Sequence, residues 1–254
     1  MLSNLWNIIL YKPLVNVLAF FVAVIPGGDV GIAVIILTLL VKAALFPLSQ
    51  RSIENQAKMK LLEPEINSIK KSGASKEEQA RLTMELYKKH KTNPFSGCLL
   101  VLIQIPIIFA LYYVFFKGIT FDSGILYSFV HAPQNINMNF LGILDIGKKS
   151  LILAILAGVS QFFQAYYMPK PAASPKNADG KGSFQESFAK SMNMQMKYIF
   201  PIVVVFIAYS ISGAIALYWI TSNIFTIWQQ IRANKKGLSV VVHGEKVGTE
   251  VTKK

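Results

Sequence analysis

The run of sequence that decides the fold is VGIAVIILTLLVKAALFPL, residues 30–48, in which Lys42 is the one charged side chain. Its 19 residues are just enough for a helix to cross a bilayer. A lysine near the middle of the bilayer costs roughly 2.5–3.5 kcal/mol on insertion scales. The run therefore predicts a transmembrane helix, and the cost of Lys42 predicts a functional reason for keeping it.

The composition extends this interpretation to the whole chain of 254 residues. Hydrophobic residues make up 53% and charged residues 15%, whereas soluble domains carry about 25% charged residues. Three further runs without Asp, Glu, Lys or Arg occupy residues 93–116, 150–168 and 198–231. The last run is too long for one crossing, and Ser210–Gly213 offers a turn near its middle. We therefore predict an all-α integral membrane protein with five transmembrane helices.

The predicted layout begins with an N-terminal interfacial helix, residues 1–28, because Trp6, Tyr11 and Lys12 favour the headgroup layer. A sixth span and a cleaved signal peptide are the alternatives for this segment. The five predicted spans are 29–49, 93–117, 150–168, 197–212 and 214–231. The other segments are a cytoplasmic antiparallel helical hairpin (50–92), an extracytoplasmic loop (118–149), a cytoplasmic linker (169–196) and a basic cytoplasmic tail (232–254).

The distribution of positive charge predicts the orientation of this layout. The net charge is +13, and 21 of the 26 Lys and Arg residues lie in three segments: 50–93, 169–197 and 232–254. With five spans these segments share one side of the membrane, which the positive-inside rule places in the cytoplasm. This clustering favours anionic lipid as a partner of the tail. It argues against a nucleic-acid function.

The hairpin is predicted from its helix signals. Ser72-Gly73 ends the first helix, since Gly can adopt the left-handed C′ conformation. Ser75 and Glu78 then form a capping box that opens the second helix. In that helix we expect an apolar stripe that faces the first helix: Ala80, Thr83, Met84 and Tyr87. The alternative is a solvated basic linker.

Polar side chains recur within the predicted spans. Thr38, Lys42 and Ser49 are spaced to share one face of the first span. The other spans contribute the remaining candidate lining residues, which are Gln104, Ser160, Gln161, Gln164, Ser222, Asn223 and Thr226.

Two ordinary explanations compete with a functional one for these polar groups. Hydrogen bonds between helices, worth about 0.6 kcal/mol each, explain any one of them. Snorkelling of Lys42 towards the cytoplasm explains the charge. A hydrated, positively charged cavity open to the cytoplasm explains all of them together. Such a cavity would lower the desolvation cost of a polar or acidic peptide segment halfway across a membrane.

The residues that support catalysis or metal binding are scarce in this sequence. We find no nucleophile–base set, no paired carboxylates and no phosphate-binding glycine loop. Cys98 is the single cysteine, and the three histidines are scattered. We therefore expect neither an enzyme nor a cofactor nor a metal site.

The motifs of the chain resemble, in order, those of the YidC/Oxa/Alb family of membrane protein insertases. The matching stretches are 37–48, 57–64, 86–89, 93–98, 104–106, 213–223 and 229–230. The resemblance implies a five-helix core with a cytoplasmic hairpin and a hydrophilic intramembrane groove. The family's groove position is typically arginine, whereas this chain has Lys42. Lysine keeps the charge but lacks the planar fork of donors.

The resemblance also implies a function and partners. The chain would be an insertase and chaperone of the bacterial plasma membrane that acts alone or with the Sec translocon. Lys42 would charge the groove, nascent membrane proteins would be its clients, and the hairpin and tail would contact the ribosome. An apolar slide for clients is expected at Phe162, Phe163, Tyr218 and Trp219.

Two other classes of function stay open at this point. A small transporter or channel would need a through-pore or alternating access, and the chain has neither inverted repeats nor an acidic coupling residue in its spans. A non-inserting assembly factor would bind partners without inserting them.

Overall fold

A computed structural model of the chain describes residues 6–93, 96–116, 121, 124–168, 191 and 194–244. Most of the predicted linker 169–196 and the last ten residues of the predicted tail lie outside the described residues. The fold is mainly helical, as predicted. The helices are α1 Lys12–Val24, α2 Val30–Ala44, α3 Phe46–Leu61, α4 Glu63–Lys71, α5 Lys76–Lys89, α6 Ser96–Phe116, α7 Leu151–Tyr167, α8 Phe200–Ile211 and α9 Gly213–Gly244.

The N-terminal segment forms one helical rod. A π-helical turn, Asn7–Tyr11, leads into α1 without a break, and Pro13 lies in the first turn of α1, where its missing N–H is tolerated. Asn7–Val24 is the one described helix that is by itself long and apolar enough to cross a bilayer. The interfacial position of this segment stays a prediction beside the alternative of a span.

The predicted first span is divided in the structure. α2 and α3 meet at Leu45 with a bend of 65°. Pro47 explains the bend, because it has no N–H to donate to the carbonyl four residues earlier and its ring clashes with that carbonyl. Ser49 therefore lies on a different helix from Thr38 and Lys42, which corrects the prediction that all three share one helical face.

Three apolar helical stretches in the described part are shorter than a full crossing. They are Gln104–Val114 within the longer α6, Leu151–Tyr167, and Gln195–Ile211, which includes a π-helical turn before α8. The predicted turn near Ser210–Gly213 is present, since α8 ends at Ile211 and α9 begins at Gly213. The count of five spans stays a prediction.

The helices pack around a shared apolar core. α7 contacts both α8 and α9, and α9 also packs against α2 and α3. Gly158 lets α7 approach α8 closely, because a Cβ at this position would overlap Val205. The core is drawn from α1, α2, α6, α7, α8 and α9, and the α9 residues Ala214, Ala216, Tyr218 and Trp219 are all buried in it.

A loop that we call the cap loop, residues 124–149, covers one end of this bundle. It contains two short antiparallel strands, β1 Asn139–Phe140 and β2 Leu144–Asp145. The strands are an addition to the predicted all-α fold, in which 118–149 was expected to be an irregular loop. They are too short to have produced a period-two pattern in the sequence.

Asp29 joins the cap loop to the start of α2. Its buried carboxylate accepts a hydrogen bond from Ile32 N at 3.1 Å, which caps the helix, and another from Leu141 N at 2.8 Å. Next to it, Asn137 N donates to Gly28 O and Asn137 O accepts from Val30 N, at 2.9 and 3.0 Å.

Two further connections hold the cap loop at the same end of the bundle. The buried Asn16 of α1 accepts from Tyr127 N at 2.6 Å and donates to Ile125 O at 3.1 Å. At the first turn of α9, Gly213 N donates to Lys148 O and Ala214 N donates to Ile146 O. The cap loop thus satisfies backbone groups at the starts of α2 and α9 that would otherwise lie unpaired, and it bonds to α1 through the Asn16 side chain.

The hairpin has its own small core, separate from the main one. α4 and α5 pack through Leu62, Ile66 and Leu86. The predicted stripe on the second helix is confirmed at Tyr87, which packs against this core, and is wrong at Ala80 and Met84, which are exposed. Leu86, outside the predicted stripe, is the buried residue. The loop between α4 and α5 follows the prediction at Gly73, whose φ is +73°.

The capping box that we predicted at the start of α5 is half present. Ser75 Oγ accepts from Glu78 N at 3.2 Å. The Glu78 carboxylate instead pairs with Arg81 at 2.7 Å. The Arg81 guanidinium holds the pKa of Glu78 below its usual range. A neighbouring arginine one turn on therefore outcompetes the backbone N–H for this carboxylate.

Two neighbouring glycines before α2 provide a matched test of how closely Asn135 of the cap loop packs on the backbone. Gly27 and Gly28 both have positive φ, +76° and +66°, but only at Gly28 would an added Cβ overlap the carbonyl of Asn135. We expect Gly27→Ala to lower the free energy of unfolding by about 1–2 kcal/mol, the cost of the left-handed conformation. Gly28→Ala should lower it by clearly more. Unfolding in mixed micelles measures both, and equal losses would contradict the packing of Asn135 on Gly28.

Candidate functional site

A cavity of about 300 Å³ lies between α2, α3, α6, α7 and α9. Its walls are mixed, with apolar side chains such as Leu45, Ile53 and Phe200 beside a larger number of polar ones. The polar residues in the wall are Lys42, Ser49, Gln104, Gln161, Gln164, Tyr218, Ser222, Asn223, Thr226, Gln229 and Gln230.

Lys42 is held in the wall by two neutral partners. Its Nζ donates to Thr226 Oγ1 at 3.1 Å and to Gln104 Oε1 at 3.5 Å. An ammonium has three donors and no acceptor, so these contacts solvate it without neutralising it. The described lining residues include no carboxylate. The cavity wall therefore carries a net positive charge.

Two hydrogen-bond networks line the cavity. The network of Lys42 continues from Gln104, whose amide contacts the Tyr218 hydroxyl. In the other network, Trp219 Nε1 donates to Gln161 Oε1 at 3.1 Å, and Gln161 Nε2 donates to Gln164 Oε1 at 2.7 Å. Because these residues come from α6, α7 and α9, the bonds hold the helices together and place polar groups in a wall whose surface is otherwise mainly apolar.

The end of the cavity near the hairpin is formed by α3 and the middle of α9. Gln229 Nε2 donates to Ser49 Oγ at 3.0 Å across this end. Gln230 is 2% exposed, and its Oε1 has no hydrogen-bond partner among the described residues. The cap loop binds the opposite ends of α2 and α9. The cavity thus lies towards the side from which the basic segment 50–93 leaves the bundle.

Most of the predicted lining residues meet in this cavity. Gln104, Gln161, Gln164, Ser222, Asn223 and Thr226 all line it together with Lys42. Two predicted residues lie outside its wall. Ser160 accepts from Asn223 Nδ2 at 3.0 Å behind the wall, and the buried Thr38 donates to Val34 O of its own helix at 2.6 Å.

The four residues predicted as a client slide do not form one surface. Tyr218 and Trp219 are 3% and 7% exposed and face the cavity. Phe163 is 49% exposed on the outside of α7. Phe162 packs near Tyr198, and the Lys197 ammonium lies 5.9 Å from its ring centroid. The slide stays a prediction, with its residues divided between the cavity and the outer face.

The predicted lining residues leave out several residues of the cavity wall. Gln229 shares a polar stripe with Ser222 and Thr226 by its spacing in the sequence, and it lines the cavity with them. Met168, Met196 and Phe200 also line the cavity. Nothing in their local pattern distinguishes them from ordinary apolar core residues, because only the packing of α7 against the segment before α8 brings them there.

The apolar helices and the polar cavity between them define a helical membrane protein. The chain belongs to the 60Kd inner membrane protein family, whose model matches residues 21–239. This confirms the family predicted from the motifs. Groups of His, Cys, Asp and Glu able to hold a metal ion are absent from the described residues.

Three relatives of this chain have the same name. It is 34% identical over 215 residues to Membrane protein insertase YidC of Fusobacterium nucleatum, covering 83% of this chain and 88% of that protein. The protein of the same name from Clostridium tetani is 32% identical, with coverage of 83% and 84%. The Magnetococcus marinus protein is 32% identical over 91% of this chain, which spans only 36% of that longer protein.

The bond between Trp219 and Gln161 provides a test of the cavity network. Trp219→Phe removes the indole donor and leaves the buried Gln161 oxygen unpaired, which costs about 1–3 kcal/mol in the free energy of unfolding. As the matched control, Trp228→Phe changes a ring that is 47% exposed, and we expect a loss of less than about 1 kcal/mol. Equal losses in mixed-micelle unfolding would contradict a structural role for this bond.

Proposed function

We propose that this protein is an insertase and chaperone of the bacterial plasma membrane. It moves hydrophobic segments and short polar tails of nascent membrane proteins into the bilayer through the positively charged cavity, alone or with the Sec translocon. The hairpin and the C-terminal tail lie in the cytoplasm in this proposal, and the cap loop lies outside.

The observation that carries the proposal is the bonding of Lys42. Its ammonium has neutral partners, Thr226 and Gln104, in a wall without a described carboxylate. A lysine that served only structure would be expected to pair with an acid when buried, since unpaired charges destabilise an interior. The unneutralised charge is available to an anionic group that enters the cavity.

The magnitude of this attraction is sufficient to affect insertion. A carboxylate at about 4 Å from the ammonium gains roughly 4 kcal/mol at an effective dielectric constant of 20. Transfer of an isolated charge into a medium without such a partner is far less favourable. Lys42 and the surrounding amides would therefore lower the barrier for a short acidic tail, while the apolar residues of the wall accept the hydrophobic segment.

The basic segments account for the proposed partners. The hairpin has a core of its own and projects beyond the bundle helices through α3, which suits it to contact a ribosome or a client as it emerges. Arg232 lies 5.6 Å above the Trp228 ring at the end of the apolar part of α9. Trp and Arg at such a position favour the headgroup layer, and anionic lipid adds about 1 kcal/mol per basic residue.

The two other functions that the sequence leaves open, a channel and an assembly factor, require different features of the structure. A channel needs a continuous path, but the cap loop bonds to α1, α2 and α9 at one end of the bundle. An assembly factor needs no charged cavity. The positive wall therefore favours insertion over both, and ion flux through client-free liposomes would reverse this preference.

The test is insertion of a single-span client with an acidic tail into proteoliposomes. Lys42→Ala should lower the insertion rate about tenfold or more, because 1.4 kcal/mol is tenfold and the expected attraction exceeds that. Lys42→Glu should lower it further, since the wall then repels the tail. Lys42→Arg should preserve it, because the charge is retained.

Two controls separate the groove charge from folding and from bulk charge. A client with a neutral tail should be inserted almost equally well by wild type and Lys42→Ala. Lys149→Ala, which removes an exposed lysine of the cap loop, should leave both clients unaffected. Equal insertion of the acidic client by wild type, Lys42→Ala and Lys42→Glu would refute the role of Lys42.

A further inference from the structure

The turn between β1 and β2 displays two large apolar side chains at the tip of the cap loop. We call residues 141–143 the apolar tip. Leu141 is 61% exposed and Ile143 is 80% exposed, the latter the highest value among the exposed large hydrophobic residues of the described chain. Single exposed apolar residues are common on protein surfaces. Two large apolar side chains exposed on the same hydrogen-bonded turn call for an explanation.

The turn is held firmly by its backbone. Leu141 N donates to the Asp29 carboxylate at 2.8 Å, Gly142 N donates to Asn139 O at 3.1 Å, and Ile143 N donates to Phe140 O at 3.0 Å. Leu141 has a φ of +53°, a left-handed conformation that is unfavourable for a bulky side chain. Retaining a leucine at a position that favours Gly or Asn indicates a gain from its side chain.

The contacts of the turn fix its depth relative to the helices. Asp29, which binds Leu141, is also the N-cap of α2. Phe140 packs directly on Gly31 in the first turn of α2, where a Cβ would overlap its ring. The apolar tip therefore lies level with the N-terminal end of α2, where the apolar run 30–44 begins.

An ion pair lies a few residues after the apolar tip in the sequence. The Lys148 ammonium lies 2.9 Å from the Asp145 carboxylate, and this contact holds the pKa of Asp145 below its usual range. Asp145 thus stays ionised at neutral pH. An ionised pair a few residues from two exposed aliphatic side chains is the pattern of a segment at a membrane–water boundary.

We propose that the apolar tip inserts Leu141 and Ile143 into the boundary between headgroups and acyl chains on the cap-loop side of the membrane. The occupant of this surface is the bilayer lipid itself. Three observations support lipid: the level of the tip at the start of a membrane helix, the aliphatic character of both side chains, and the adjacent ionised pair. The tip would anchor the cap loop, and through Asp29 the end of α2, against the membrane.

The experiment measures the depth of a fluorophore in vesicles with brominated acyl chains. A Cys98→Ser background removes the single cysteine, and Ile143→Cys receives an environment-sensitive label. Gln134→Cys, an exposed polar position of the same loop, is the matched control. We expect at least about twofold stronger quenching at 143 than at 134, and stronger quenching by bromines near the glycerol than by bromines near the bilayer centre.

A second measurement uses the unaltered chain, in case the cysteine background folds poorly. Phospholipids with a photoreactive group near the ester should label the peptide that contains residues 139–145 more than the peptide that contains residue 134. Equal quenching at 143 and 134, or absence of lipid label from residues 139–145, would overturn the proposal. Protection of position 143 only after a second protein is added would also overturn it and assign the tip to protein docking.

Discussion

A lysine ammonium inside an apolar bundle has to be solvated by whatever groups the neighbouring helices supply. Lys42 of α2 finds Thr226 of α9 and Gln104 of α6, so three helices from distant parts of the chain must meet at one point. Gln104 continues the solvation of the ammonium to the Tyr218 hydroxyl. Gln161 belongs to a separate network with Trp219 and Gln164. The result is a cavity with polar groups set in a mainly apolar wall and one unneutralised charge.

The two ends of the bundle differ in how their buried polar groups are hydrogen-bonded. At the cap end, helix termini are satisfied by loop carbonyls, amides and the carboxylate of Asp29. At the other end, side-chain amides such as those of Gln229 and Gln230 remain buried beside the cavity. A buried oxygen without a partner, as on Gln230, is unfavourable unless water or a ligand reaches it. The cap end keeps one such atom as well, Ser212 Oγ, so what distinguishes the other end is the cavity beside Gln230.

The spacing of polar residues predicted the lining of the cavity better than it predicted where the helices bend. The spacing of Ser222 and Thr226 on α9 holds in the structure because α9 is continuous through them. The shared helical face predicted for Thr38, Lys42 and Ser49 is wrong because the chain bends before Pro47. The spacing of polar residues does not show how a proline changes the direction of a helix. Thr38 illustrates a second limit, because a hydroxyl can be satisfied by its own helix. The cap-loop strands and the Leu141 turn depend on long-range contacts to Asp29, which no local pattern reveals.

The sequence separation of the Lys42 contacts has a consequence for how this protein is itself made. Thr226 follows Lys42 by 184 residues, and translation at about 5–20 residues per second takes roughly 10–40 s to cover that distance. During that time α2 carries its ammonium without the hydroxyl that later binds it. The nascent chain is then an incomplete helix bundle in which the Lys42 ammonium lacks one of its two partners. Its own insertion therefore requires that the Lys42 charge be solvated before the cavity has formed.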